Sequence, residues 1–271
     1  MKRTALFAAL LLAVSSLATA QLPFVEYFSS PVLSATPEQF WTTDATLESV
    51  PEGTDGIPGP PPFGGDGYIG RSSATVTTYM SAGNVYGTSA DADYTMKAWL
   101  WTPVVDTLDE PDDYWYQMLI FYRLVDADDP TYYGYGRVHA QFNEAVANRI
   151  RLQITNPAFA HTTEWVSPTN FQHSEGWHEF VVALTGTTAD VYYDGDLLGS
   201  ADWTTDAPQR NAGRYGFGQY IDGAGTRSIY VDNFKVWETG GVEPADQQVP
   251  PTPTPTITPI VAGSQSWNHY R

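Results

Sequence analysis

Two sets of residues in this chain have types and spacings that could do chemistry. The first is a pattern of alternation. Over successive stretches the odd-numbered positions carry Trp99 and Trp101, then Gln117 and Arg123, then Tyr135, Arg137 and His139, then Arg151. Their even-numbered neighbours are mainly apolar, among them Met96, Leu100, Met118, Ile120, Val138, Phe142, Leu152 and Ile154. Side chains alternate across a strand, so each stretch would bury one face and show solvent rings, amides and guanidinium groups on the other. Sugars suit such a mixture, because rings stack on pyranose C–H faces and planar polar groups fork onto hydroxyls. The expectation is a shallow groove on one sheet, lined by these eight residues. Its basic groups point toward an acidic glycan, although arginine also hydrogen-bonds neutral sugars. The competing reading makes the rings packing for a second sheet or cover for a loop.

The second set is a pair of misplaced carboxylates. In "IYVDNFKVWE" (229–238) Asp232 falls in phase with Tyr230, Phe234 and Val236, and in "FVEYF" (24–28) Glu26 falls in phase with Phe24 and Phe28. A charge buried without a partner costs several kcal/mol, so each needs an answer. Backbone N–H groups at a strand end, or Lys235, Arg227 or Arg71, would supply one. Other chemistries find little support. There is no Cys, and His173 and His178 lack zinc-site spacing and a third ligand.

The elements that must position these residues read as strands. Short aromatic or alternating runs such as "DYTMKAWLW", "YWYQMLIFYRLV", "NRIRLQIT" and "WHEFVVALT" are separated by Gly, Pro, Asp and Asn, with almost no helical period. That pattern predicts an all-β, two-sheet antiparallel sandwich. "GTDGIPGPPPFGGDG" (53–67) is a long loop. Residues 1–20, "MKRTALFAALLLAVSSLATA", are expected to be a secretory signal peptide cleaved after Ala20, which would place the protein outside the cell, on its surface or in a periplasm. Their apolar run is too short to span a membrane. The sandwich would occupy residues 21–240. Residues 241–271 open with the Pro/Thr-rich "GVEPADQQVPPTPTPTITP" and read as an extended linker with a short tail. A formal net charge of −18 argues against nucleic acid or an anionic membrane as partner. Without disulfides, an exported chain needs a true hydrophobic core, and 42% hydrophobic residues allow one.

One passage sharpens the class. "GWHEFVVALTGTTADVYYDGDLLGS" (176–200), followed by "GRYGFGQY" and "YVDNFKV", resembles the laminin G-like branch of the concanavalin A-like lectin and glucanase superfamily. The resemblance covers roughly residues 93–238 and, more loosely, the first strand. It implies a jelly roll whose first and last strands are adjacent and whose concave face binds glycans. It also implies that Glu26 and Asp232 sit on paired strands and share a structural calcium, which takes carboxylate and carbonyl oxygens. The glucanases of that superfamily carry Glu-x-Asp-x-x-Glu on one strand, and no such spacing occurs here. A lyase-like site is the other enzymatic route, with Arg137, His139, Gln141 and Tyr135 on one face, but "RVHAQ" departs from that family's Gln-x-His order. The reading is therefore a non-catalytic glycan-binding module, with a polysaccharide-degrading enzyme or a purely structural or adhesive surface module as alternatives.

Overall fold

The computed structural model describes residues 22–40, 46–61, 66–76, 80–88, 91–102, 116–124, 135–142, 149–155, 161–166, 174–202, 213–221 and 225–247. The expected signal peptide (1–20) and most of the expected linker and tail lie outside them. Among the described residues no helix is long and apolar enough to cross a membrane.

The architecture is the expected two-sheet antiparallel sandwich. Sheet A holds β1 (Phe24–Glu26), β3 (Thr46–Pro51), β4 (Tyr68–Val76), β6 (Tyr94–Thr102), β11 (Gly176–Thr185), β12 (Thr188–Tyr193), β13 (Asp196–Asp202) and β15 (Gly225–Glu238). Its order is β13-β12-β11-β6-β15-β4-β3, with β1 also paired to β15. Sheet B holds β2 (Glu38–Phe40), β5 (Met80–Tyr86), β7 (Tyr116–Leu124), β8 (Tyr135–Phe142), β9 (Arg149–Thr155), β10 (His161–Val166) and β14 (Arg214–Ile221), in the order β10-β9-β8-β7-β14-β5-β2. First and last strands are adjacent, Phe24 opposite Val236 and Glu26 opposite Phe234. This is the layout that the resemblance implies.

The core between the sheets is aromatic. Phe28, Tyr94, Tyr215, Phe217 and Phe234 are fully buried and meet at tilted or edge-on angles, with ring centroids 5.3 Å apart for Tyr94–Tyr215 and 5.2 Å for Phe217–Phe234. Burying such a side chain contributes about 1.5–3 kcal/mol, which is how a chain without Cys holds together. Gly70 lies against the Phe28 ring, where a Cβ would stand 2.6 Å from it.

Strand β15 changes phase midway. Ile229 and Val231 face the core, then Asn233 takes a left-handed conformation (φ 48°), and Phe234 and Val236 face the core after it. On β6, Asp232 pairs with Trp99 while Lys235 pairs with Lys97, so one strand carries an extra residue at this bulge. The expectation that Asp232 shares a face with Phe234 and Val236 is thus corrected. Asp232 sits with Tyr230 on the outer face of sheet A.

The hairpin carrying "WH" and "YYDG" is clipped by its own polar residues. Asp194 (φ 49°) and Gly195 (φ 85°) form a two-residue turn of the kind that needs positive φ at both positions. Asp194 Oδ2 lies 2.7 Å from His178 Nδ1, and Asp194 Oδ1 accepts a bond from the Glu179 N–H at 2.9 Å. Tyr193 stacks on the imidazole with centroids 4.8 Å apart.

Candidate functional site

The eight residues expected to line one groove are divided by the tertiary structure. Trp99 and Trp101 lie on β6 in sheet A, whereas the positions of Gln117, Tyr135, Arg137, His139 and Arg151 lie on β7, β8 and β9 in sheet B. Alternation along a strand carries no information about which sheet that strand joins.

On sheet A the two indoles are packing. With Tyr230 they surround a cluster of Val50, Ile57, Ile69 and Trp177 on the outer face. Trp101 meets Trp177 edge to face at 5.9 Å, and Trp177 Nε1 donates to the Pro58 carbonyl at 2.5 Å. The Ile57–Pro58 part of the Gly- and Pro-rich loop thus lies on this face. Beside it Tyr230 donates to Asp55 at 2.5 Å, and Arg71 bridges Asp55 and Glu48. The alternative in which the rings cover a loop is the one realised for Trp99 and Trp101.

On sheet B the register assembles a polar face. Val138 is buried in the core, and Ile120 and Leu152 pair with it on either side. The positions facing away from the core then form cross-strand rows. Gln117, Gln141 and Arg149 make one row, Leu119, His139 and Arg151 the next, and Phe121, Arg137 and Gln153 a third. Tyr135 follows, opposite Thr155. Arg123 lies beyond the last β7–β8 pair, at an irregularity in the β7–β14 register. Phe121 and Leu124 pair with Gly216 and Arg214, so two residues of β7 fall opposite one of β14. The position of Tyr220 joins the Gln117 row from β14. Nothing local signals that neighbour, because "GRYGFGQY" is far from β7 in sequence.

The two carboxylates part company as well. Glu26 Oε1 accepts from the Phe28 N–H at 3.1 Å, and Oε2 accepts from the Ser34 N–H and hydroxyl, each at 2.6 Å. Glu26 is saturated by its own segment on the core side of β1, so it is not arranged as a ligand beside Asp232. Asp232 is different. Its Oδ1 accepts from the Asn233 N–H at 2.6 Å, while its buried Oδ2 has no hydrogen-bond partner among the described residues. Asn233 Oδ1 and Asp66 Oδ2 are buried in the same state. Arg71 is engaged by Glu48 and Asp55, and Lys235 by Glu243 and Asp246, so neither answers Asp232.

Burial, then the nearby Asp66 and more weakly Glu52 and Glu26, holds the Asp232 carboxyl well above its usual range. Burial, with a smaller push from Glu52, raises Asp66 to about 6. Asp66 and Glu52 close the base of the 53–67 loop, where the Glu52 N–H donates to the Gly67 carbonyl at 3.1 Å. No three acidic or His side chains among the described residues converge as a metal-binding set. Asp66 lies near Asp232, and its carboxyl also meets the Glu52 side chain. Calcium takes carboxylate and amide oxygens, the types that Asp232, Asp66 and Asn233 carry.

Ser174, His178 and Asp194 follow one another as a hydrolytic triad would, but the geometry is that of a clip. His178 Nε2 lies 2.9 Å from the Ser174 carbonyl and 3.3 Å from its hydroxyl. A nitrogen donating to a carbonyl has no lone pair with which to take a proton from the hydroxyl.

No protein-family profile matches the sequence, and no curated protein matches it. Solved structures similar in strand layout include a carbohydrate-binding module from Bacillus subtilis (9% identity, 73% of this chain and 99% of that one, TM-score 0.44). A galectin from Caenorhabditis elegans (12%, 60% and 92%, 0.36) and an endo-β-1,4-glucuronan lyase from Trichoderma reesei (12%, 80% and 95%, 0.47) are others.

Proposed function

We propose that this chain is a secreted, non-catalytic glycan-binding module whose ligand lies on the outer face of sheet B. The observation that carries the reading is the register. Three adjacent strands bring the positions of Gln117, Arg137, His139, Gln141, Arg149, Arg151 and Gln153 to one face, beside those of Tyr135 and Phe121. Amide and guanidinium groups fork onto hydroxyls and carboxylates, and rings stack on sugar faces. Arginines gathered there on a chain at −18 favour an acidic glycan.

A glycan array spanning neutral, uronate and sulfated polysaccharides tests the reading. Binding weakened by Arg137→Ala and by added salt supports it, since exposed charges are screened over about 8 Å at physiological ionic strength. No retention on any glycan rejects it. Release of unsaturated fragments from a uronate polymer would replace it with the lyase reading, for which His139 opposite Arg151 is the favouring feature.

We infer further that the module holds a structural calcium at Asp232, Asp66 and Asn233. The ion would neutralise two buried carboxylates and tie the β15 bulge to the base of the 53–67 loop. A chelator that leaves the melting temperature unchanged would exclude it.

A further inference from the structure

Lys97 and Lys235 stand directly opposite one another on β6 and β15. Like charges in that position destabilise a sheet, and Lys235 is completely buried. Glu179 on β11 answers Lys97 at 2.6 Å, and what answers Lys235 is the chain's own continuation. Glu243 Oε1 lies 3.3 Å from Lys97 Nζ and 3.4 Å from Lys235 Nζ, and Lys235 also bonds the Asp246 carboxylate. The Lys235 ammonium donates to the Pro244 carbonyl at 3.0 Å, and the Tyr27 hydroxyl donates to the Ala245 carbonyl at 2.5 Å. Each residue from 243 to 246 is therefore held, in a stretch whose composition reads as linker.

We propose that residues 243–246 are a strap, seated on a two-lysine cleft, that fixes where the Pro/Thr-rich tail leaves the domain. Lys97 shares the outer face of sheet A with Trp99, so the tail departs from the side opposite the polar face of sheet B. A domain tethered through that tail presents sheet B away from its anchor. This last consequence rests on sheet B being the ligand face, whereas the strap itself does not.

The absence of Cys makes the test direct. Val242 is 91% exposed, and Leu197 on β13 is 56% exposed. Nitroxides at Val242→Cys and Leu197→Cys should give one narrow distance in the parent protein. Glu243→Gln with Asp246→Asn, on that background, should broaden the distribution and raise the detached population about tenfold or more, the effect of losing a charge-assisted bond. Lys235→Met is a second route to the same release, because a buried ion pair tolerates an apolar replacement of similar volume. A broad distance in the parent, or one unchanged in both variants while near-UV circular dichroism shows them folded, overturns the strap. Failure to bind any glycan would leave these distances untouched and would reject only the ligand reading.

Discussion

Asp232 and Trp99 face each other across β15 and β6, so a buried carboxylate and an indole share the outer face of sheet A. The left-handed Asn233 next to Asp232 makes this possible, because the extra residue turns Phe234 back into the core.

The carboxyls beside this bulge make stability depend on pH. Asp66 is raised from 3.8 to about 6, and Asp232 is raised too, so the metal-free folded state binds protons more tightly than the unfolded chain. The Asp66 contribution is present below about pH 4 and is lost as pH rises through about 6, and the Asp232 contribution is lost in the same direction. Chelator-treated protein should therefore show a melting temperature that falls over this window, less steeply in Asp66→Asn. Calcium should restore stability most at neutral pH, where no proton competes for the oxygens. An identical profile in Asp66→Asn would remove these carboxyls from the account.

Substitutions on the two outer faces should separate into different phenotypes. Trp101→Ala removes a half-buried ring packed on Trp177 and should cost about 2–3 kcal/mol, somewhat below the range for a fully buried Trp, with little change in glycan affinity. Arg137→Ala should leave stability within about 0.5 kcal/mol and weaken binding about tenfold. Denaturant melts paired with affinity gels decide it, and an Arg137→Ala protein that binds like the parent contradicts the assignment.

His178→Ala breaks a charge-assisted bond in the β12–β13 turn and should cost about 1.5–3 kcal/mol in urea unfolding. Asp194→Gly keeps the turn's backbone freedom but loses the same bond, so it should cost a comparable amount. Ser174→Ala should be nearly silent, because its carbonyl rather than its hydroxyl makes the closer contact. A large loss from Ser174→Ala would point away from the clip.

Gly70→Ala tests the packing of the core. The new methyl would meet the buried Phe28 ring at 2.6 Å, and overpacking of this kind costs about 1–3 kcal/mol. A melting temperature equal to the parent's would show that Phe28 has room to move.

Period-two alternation and turn chemistry were enough to read the class of fold and the Asp194-Gly195 turn, because both are set by neighbours a few residues apart. Strand pairing sets the positions of Arg137 and Gln153, and of His139 and Arg151, opposite one another. Sheet membership is not local. Trp99 and Gln117 read alike along the chain, and only the strand order sends one beneath the 53–67 loop and the other to the face of sheet B. Phase is equally fragile, since a single bulge at Asn233 moved Asp232 to the opposite face from Glu26. The strap shows the same limit from the other side. Residues 241–247 look like linker by composition, and 243–246 are held because Lys235, buried by strand pairing, meets their carboxylates. Alternation along a strand follows from backbone geometry, but what stands across from a residue depends on long-range pairing, and the energy of a buried charge is decided there.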